Sequence, residues 1–146
     1  MVDCYLACMQ ATVQRRHRHH QVLVVDDSPD ILEAVACLLR LHGCRVVTAA
    51  SGREAFAAFE RGLRPCMMLL DLRMPDMTGW EVCDCMRAHE ELHETPVVIL
   101  SAEIPDPARA QSLGIRDFLQ KPRITPSLVG AVERHCRMAT SVNVGA

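Results

Sequence analysis

Four short apolar runs punctuate the chain, and each ends in a polar residue suited to phosphate chemistry. Val22-Leu23-Val24-Val25 leads into Asp26-Asp27, and Cys66-Met67-Met68-Leu69-Leu70 into Asp71. Val97-Val98-Ile99-Leu100 leads into Ser101, and Phe118-Leu119-Gln120 into Lys121-Pro122. Runs of this length and composition predict strands buried on both faces. Between them the period changes to helical. Ser28 is an N-cap and Pro29 a first helical residue, after which Ile31, Leu32, Val35, Leu38 and Leu39 share a face and Gly43 stops the helix.

Arg45 to Ala49 reads as a further strand. A helix from Ser51-Gly52 then turns Ala55, Phe56 and Phe59 inward and stops at Gly62 and Pro65. After the loop Leu72 to Gly79, helices are expected over Trp80–His89, Ala108–Leu113 and Thr125–Met138, with Leu128, Val129 and Val132 inward in the last. Strands are expected at Val97–Leu100 and Asp117–Gln120. Five strands alternating with five helices call for an α/β fold, a parallel sheet covered on both faces through right-handed crossovers. Ligands of such sheets bind outside the carboxyl ends of the strands. Asp26, Asp27, Asp71, Ser101 and Lys121 therefore gather at one rim.

The chain of 146 residues is expected to form one domain over residues 21–138, with an extension over 1–20 and a tail over 139–146. A formal net charge of -2 offers no electrostatic footprint for nucleic acid or a membrane surface. No apolar stretch reaches the roughly 20 residues of a membrane helix, and Met1 to Gln10 lacks the regions of a secretory signal. A cytoplasmic protein is the expectation. Eight cysteines without framework spacing read as free thiols, with Cys37, Cys66 and Cys136 as small buried apolar residues. The extension ends in the basic run Arg15-Arg16-His17-Arg18-His19-His20, a solvated segment or a docking arm; Cys4 and Cys8 with these histidines follow no recognised metal spacing.

Three carboxylates at one rim must raise a pKa, bind a cation or spread apart, because like charges 4 Å apart repel by about 4 kcal/mol at an effective dielectric of 20. Hard oxygen ligands suit Mg²⁺. Taken alone, Asp26-Asp27 before Ser-Pro fits helix capping equally well. Asp71, closing an apolar strand, is harder to explain structurally. Beside Mg²⁺ its carboxylate can attack phosphorus and form an aspartyl phosphate. Lys121 would supply positive charge to the phosphoryl oxygens, and Ser101 a hydrogen bond.

Asp26-Asp27, the run Leu70 to Gly79, Ser101-Ala102-Glu103 and Lys121-Pro122 together resemble the receiver domains of two-component response regulators, over about Gln21 to Arg137. The resemblance implies a stand-alone receiver with a flavodoxin-like sheet of order 2-1-3-4-5. It implies phosphorylation of Asp71 by a sensor histidine kinase or histidine phosphotransfer protein. Mg²⁺ would be held by Asp27 and Asp71 directly, Asp26 mainly through water and Arg73 through its backbone carbonyl. Ser101, Ala102 and Lys121 would bind the phosphoryl group, Phe118 would be the switch aromatic, and Pro122 would follow a cis bond. Arg73 and Glu103 would tune phosphate lifetime.

The implied output is binding to a downstream protein, with a phosphorylation-dependent homodimer as one form; no catalysis is implied beyond the domain's own phosphorylation and dephosphorylation. Two features depart from the pattern. Glu103-Ile104-Pro105-Asp106-Pro107 shortens the fourth helix, and Arg123 stands where an aromatic often follows Lys-Pro. They keep open a second reading, a phosphorylation-independent interaction module. A phosphohydrolase of the haloacid-dehalogenase type would want Asp where Arg73 stands.

Overall fold

The computed structural model describes residues 21–115, 117–121, 123 and 125–141. The expectations for the 1–20 extension, for Pro122, for the Cys136 side chain and for residues 142–146 lie outside them. In chain order the elements are β1 (Gln21–Val25), α1 (Pro29–Leu41), β2 (Arg45–Ala49), α2 (Gly52–Glu60), β3 (Met67–Asp71), α3 (Gly79–Arg87), β4 (Val97–Ser101), α4 (Pro107–Ser112), β5 (Asp117–Gln120) and α5 (Thr125–Ser141). The sheet runs β2-β1-β3-β4-β5, every neighbouring pair parallel, as the resemblance implied.

Alternation of side chains along each strand divides the core into two halves. Leu23, Val25, Met68, Leu70, Val97 and Ile99 face α2 and α3, where Phe59, Val82 and Met86 cover them. Val22, Val24, Met67, Leu69, Val98 and Leu100 face the other way, against Val35 and Leu39 of α1 and Leu128 and Val132 of α5. Burial on both faces is why these strands are continuously apolar.

Helix ends follow local chemistry. Ser28 caps α1 with Pro29 at its first position, and Gly43 beyond its end has a φ of 83°, which favours glycine. Asp106 caps α4, whose first residue is Pro107; none of its six residues is buried. The fourth helix is short, as expected from Pro105 and Pro107, and the structure adds that it is superficial.

Several expectations are corrected. Cys37 is exposed, because it falls on the solvent face of α1 between buried Ala36 and half-buried Leu38. Phe56 is only half-buried. α5 runs to Ser141, three residues past the expected end, since nothing in Ala139-Thr140-Ser141 breaks a helix. Asp71 and Ser101 are the last residues of their strands rather than the first beyond them. Cys66 is buried, as its small-apolar reading expected; Cys83 is buried as well, and burial pushes its thiol up to about 12.

Candidate functional site

Strand register brings the polar strand ends together. Val25 pairs with Leu70, Asp71 with Leu100, and Ser101 with Gln120, so Asp26, Asp71, Ser101 and Lys121 stand side by side at the carboxyl edge. The Lys121 N–H donates to the Ser101 carbonyl at 2.9 Å, closing this row. Asp26 is 0%, Ser101 3% and Asp71 5% exposed, whereas Asp27 is open to solvent.

Each buried group has a defined partner. Asp26 Oδ1 accepts the Ser28 N–H at 2.9 Å, and its Oδ2 lies 2.6 Å from Lys121 Nζ. The turn that leads into α1 therefore accounts for one Asp26 oxygen, the cap itself being Ser28, and leaves the other facing the rim. Asp71 Oδ1 accepts the Arg73 N–H at 3.4 Å and lies 3.5 Å from Lys121 Nζ. Ser101 Oγ accepts the Glu103 N–H at 3.2 Å, which leaves the hydroxyl proton to donate. Ala102, next in the chain, is exposed, and Phe118 is half-buried against the core under α2 and α3.

Asp26, Asp27 and Asp71 each offer a carboxylate oxygen, all within 4.8 Å of one another. Three negative charges share the single ammonium of Lys121. Burial, and then the charge of Asp26, raise the Asp71 pKa; Lys121 and the Arg73 N–H lower it less, and Asp27 adds to the rise. The sign for stability follows. Between the ordinary carboxyl value of 3.8 and the higher native value, the folded state binds more protons than the unfolded chain. Stability from this group thus falls as pH rises through that window and stays reduced above it. Asp71→Asn is expected to raise the melting temperature at neutral pH without divalent cations, and to flatten this pH dependence. Thermal melts of both proteins across pH check it.

Two loops, which follow the strands that end in Asp71 and Ser101, meet beside the rim. Arg73 and Glu103, both largely exposed, form an ion pair from the β3–α3 loop to the β4–α4 loop. Beneath it lies a hollow of about 340 Å³ lined by Leu72, Thr78, Trp80 and Ser101 among others. Thr78 and Glu81 form a reciprocal capping box that fixes where α3 begins. Gly79 donates its N–H to the Leu72 carbonyl at 3.0 Å, and a Cβ there would stand 2.4 Å from the Asp71 carbonyl oxygen.

Some of this was not read from the sequence. The sequence directs Lys121 at phosphate, whereas its nearest side-chain partner in the fold is Asp26. Arg109 of α4 stacks 5.0 Å from the Trp80 ring and pairs with Asp84 at 3.5 Å, tying α4 to α3. No periodicity marks such a contact between separate elements. The capping pattern Thr-x-x-Glu, by contrast, was a local signal available to find.

The fold and rim together define a parallel α/β protein with an acidic cluster and a lysine at its strand ends. The chain belongs to the response regulator receiver domain family, whose model matches residues 22–133. It is 31% identical to protein PilG of Pseudomonas aeruginosa over 125 residues, covering 84% of this chain and 92% of that protein. It spans about half the length of several other curated relatives, 48% in one case and 50% in another.

Among solved structures, the chemotaxis protein CheY4 of Vibrio cholerae superposes with a TM-score of 0.72 at 33% identity, covering 79% of this chain and 97% of that one. The receiver domain of the sensor histidine kinase PA1611 of Pseudomonas aeruginosa does so with a TM-score of 0.71 at 28% identity, over 80% and 97% of the two chains. That domain was solved with a magnesium ion coordinated in its active-site cleft. Among the described residues, no helix is long and apolar enough to cross a membrane.

Proposed function

We propose that Asp71 accepts a phosphoryl group from a phosphohistidine of a sensor histidine kinase or histidine phosphotransfer protein, and that the modified domain changes its binding to a downstream protein. One observation carries this reading: three carboxylates with oxygens within 4.8 Å of one another, and an ammonium 3.5 Å from the acceptor. The donor set consists of hard oxygens with one exposed face, which suits Mg²⁺. Asp26, Asp27, Asp71 and the Arg73 backbone carbonyl would hold it. When bound, Mg²⁺ neutralises the carboxylates and polarises a phosphoryl oxygen.

The residues then divide the work. An Asp71 carboxylate oxygen forms the new O–P bond as the P–N bond to the imidazole breaks, and the departing nitrogen keeps the electron pair. Lys121 moves from Asp26 towards the phosphoryl oxygens, while the Ser101 hydroxyl and the Ala102 N–H donate to them. Drawing in Ser101 shifts the β4–α4 loop and leaves room for half-buried Phe118 to turn inward. The Arg73–Glu103 pair stands over the approach and governs the water that ends the phosphorylated state. Catalysis extends only to the domain's own phosphorylation and dephosphorylation, and the output is protein binding, a phosphorylation-dependent homodimer included. No nucleic acid or membrane partner is proposed, and the site of action is the cytoplasm.

A small phosphodonor with Mg²⁺ is expected to add one phosphoryl group to the intact protein, read by mass spectrometry, and Asp71→Asn to prevent it. Labelling that persists in the variant overturns the assignment. A second reading rests on α4, which buries no side chain: a domain whose switch is uncoupled binds its partner equally well with and without a phosphoryl mimic.

A further inference from the structure

A hollow of about 560 Å³ lies away from the acidic rim, between the end of α2 and the turn that follows α3. Its floor is apolar, built from Phe56, Phe59 and Leu92, with the two phenylalanine rings edge to face. Its rim is charged. Arg64 donates to Glu91 and to the carbonyls of Phe59 and Leu63, so Glu91 already has a cation. Glu60 and Glu90 line the same hollow and have no ion-pair partner among the described residues. An aromatic floor with two carboxylates above it that no described cation neutralises suits a guanidinium, which can stack on a ring face while donating to carboxylates.

The chain carries such groups nearby. The Cys66 N–H donates to the Gln21 carbonyl at 2.9 Å, which places the start of β1 two residues along the chain from Arg64 on the rim. Immediately before Gln21 stands Arg15-Arg16-His17-Arg18-His19-His20. The three to six residues of chain that separate Arg18 and Arg15 from Gln21 can span at most about 10–20 Å, enough to reach the hollow beside Arg64. The Asp26–Asp27–Asp71 cluster is at the opposite end of the sheet, farther by the length of β1, about 15 Å.

We propose that this hollow docks the chain's own basic segment, with an arginine of residues 15–18 over Phe56 and paired with Glu60 and Glu90. A single exposed ion pair is weak. Tethering supplies a high effective concentration, so a few such contacts suffice within one chain. The docked segment would stay clear of the Asp71 rim, so the inference is independent of phosphorylation.

The test uses the full chain labelled with ¹⁵N. Replacing Arg15, Arg16 and Arg18 together by Ser is expected to shift the amide resonances of Phe56, Glu60 and His89 to Leu92, leaving Val22 to Val25 unmoved as evidence of an intact fold. Glu60→Gln with Glu90→Gln is expected to shift the basic segment's resonances, and combining both sets to add nothing further at the hollow. Unmoved hollow resonances in the arginine variant overturn the proposal, as do effects of the two sets that simply add. Shifts that vanish on dilution make the occupant a second copy and also overturn it.

Discussion

Lys121→Met is expected to cost about 3 kcal/mol of folding stability in metal-free buffer, the scale of removing one partner from a buried ion pair. Asp26 is fully buried and its Oδ2 has the ammonium at 2.6 Å; the lysine side chain is itself only 18% exposed. Without it, Asp26 and Asp71 face each other with no cation beside them among the described side chains. Urea unfolding measures the loss. Adding Mg²⁺ is expected to recover part of it, because a divalent cation among the same carboxylates replaces the missing charge and binds only the folded state. In an Asp71→Asn background the cost is expected to shrink, since one of the repelling charges is gone and the two positions share a partner. A loss below about 1 kcal/mol would mean that the pair behaves as a solvent-exposed one.

Gly79→Ala is expected to destabilise the protein by about 1–3 kcal/mol through overpacking, and also to weaken Mg²⁺ binding. The added methyl would stand 2.4 Å from the Asp71 carbonyl oxygen and 2.9 Å from Leu72 Cα, both backbone atoms that cannot rotate away. The displaced loop carries the Arg73 carbonyl. Gly43→Ala serves as control: nothing lies within 4 Å of a Cβ there, and its φ of +83° sets a local strain of about 1–2 kcal/mol far from the rim. Both variants should melt lower by differential scanning calorimetry. Only Gly79→Ala should require more Mg²⁺ for the same thermal stabilisation, and equal Mg²⁺ dependence would show that Gly79 matters only to packing.

Legibility varied with the range of the contacts. β2 and β5 were read to the residue because apolar periodicity and turn residues bound them on both sides. The α3 start was missed by one residue. Gly79 reads as a loop glycine, yet it is the first helical residue, fixed by Thr78 and Glu81. Cys37 was misplaced because a cysteine carries little information about which side of a helix it occupies. Ala36 beside it is buried and was not singled out, since alanine fits either face.

Local order along the chain was enough to determine the alternating elements and the polar residue at the end of each buried strand. It therefore determined which groups share the rim, because in a parallel sheet every strand presents its carboxyl end to the same edge. Three-dimensional packing decided how those groups are partnered. Lys121 meets Asp26 across 95 residues, Arg109 covers Trp80, and the Asp71 backbone leaves no room for a Cβ at Gly79. Such contacts depend on side-chain direction and on distances of a few tenths of an ångström, which strand and helix periods do not specify.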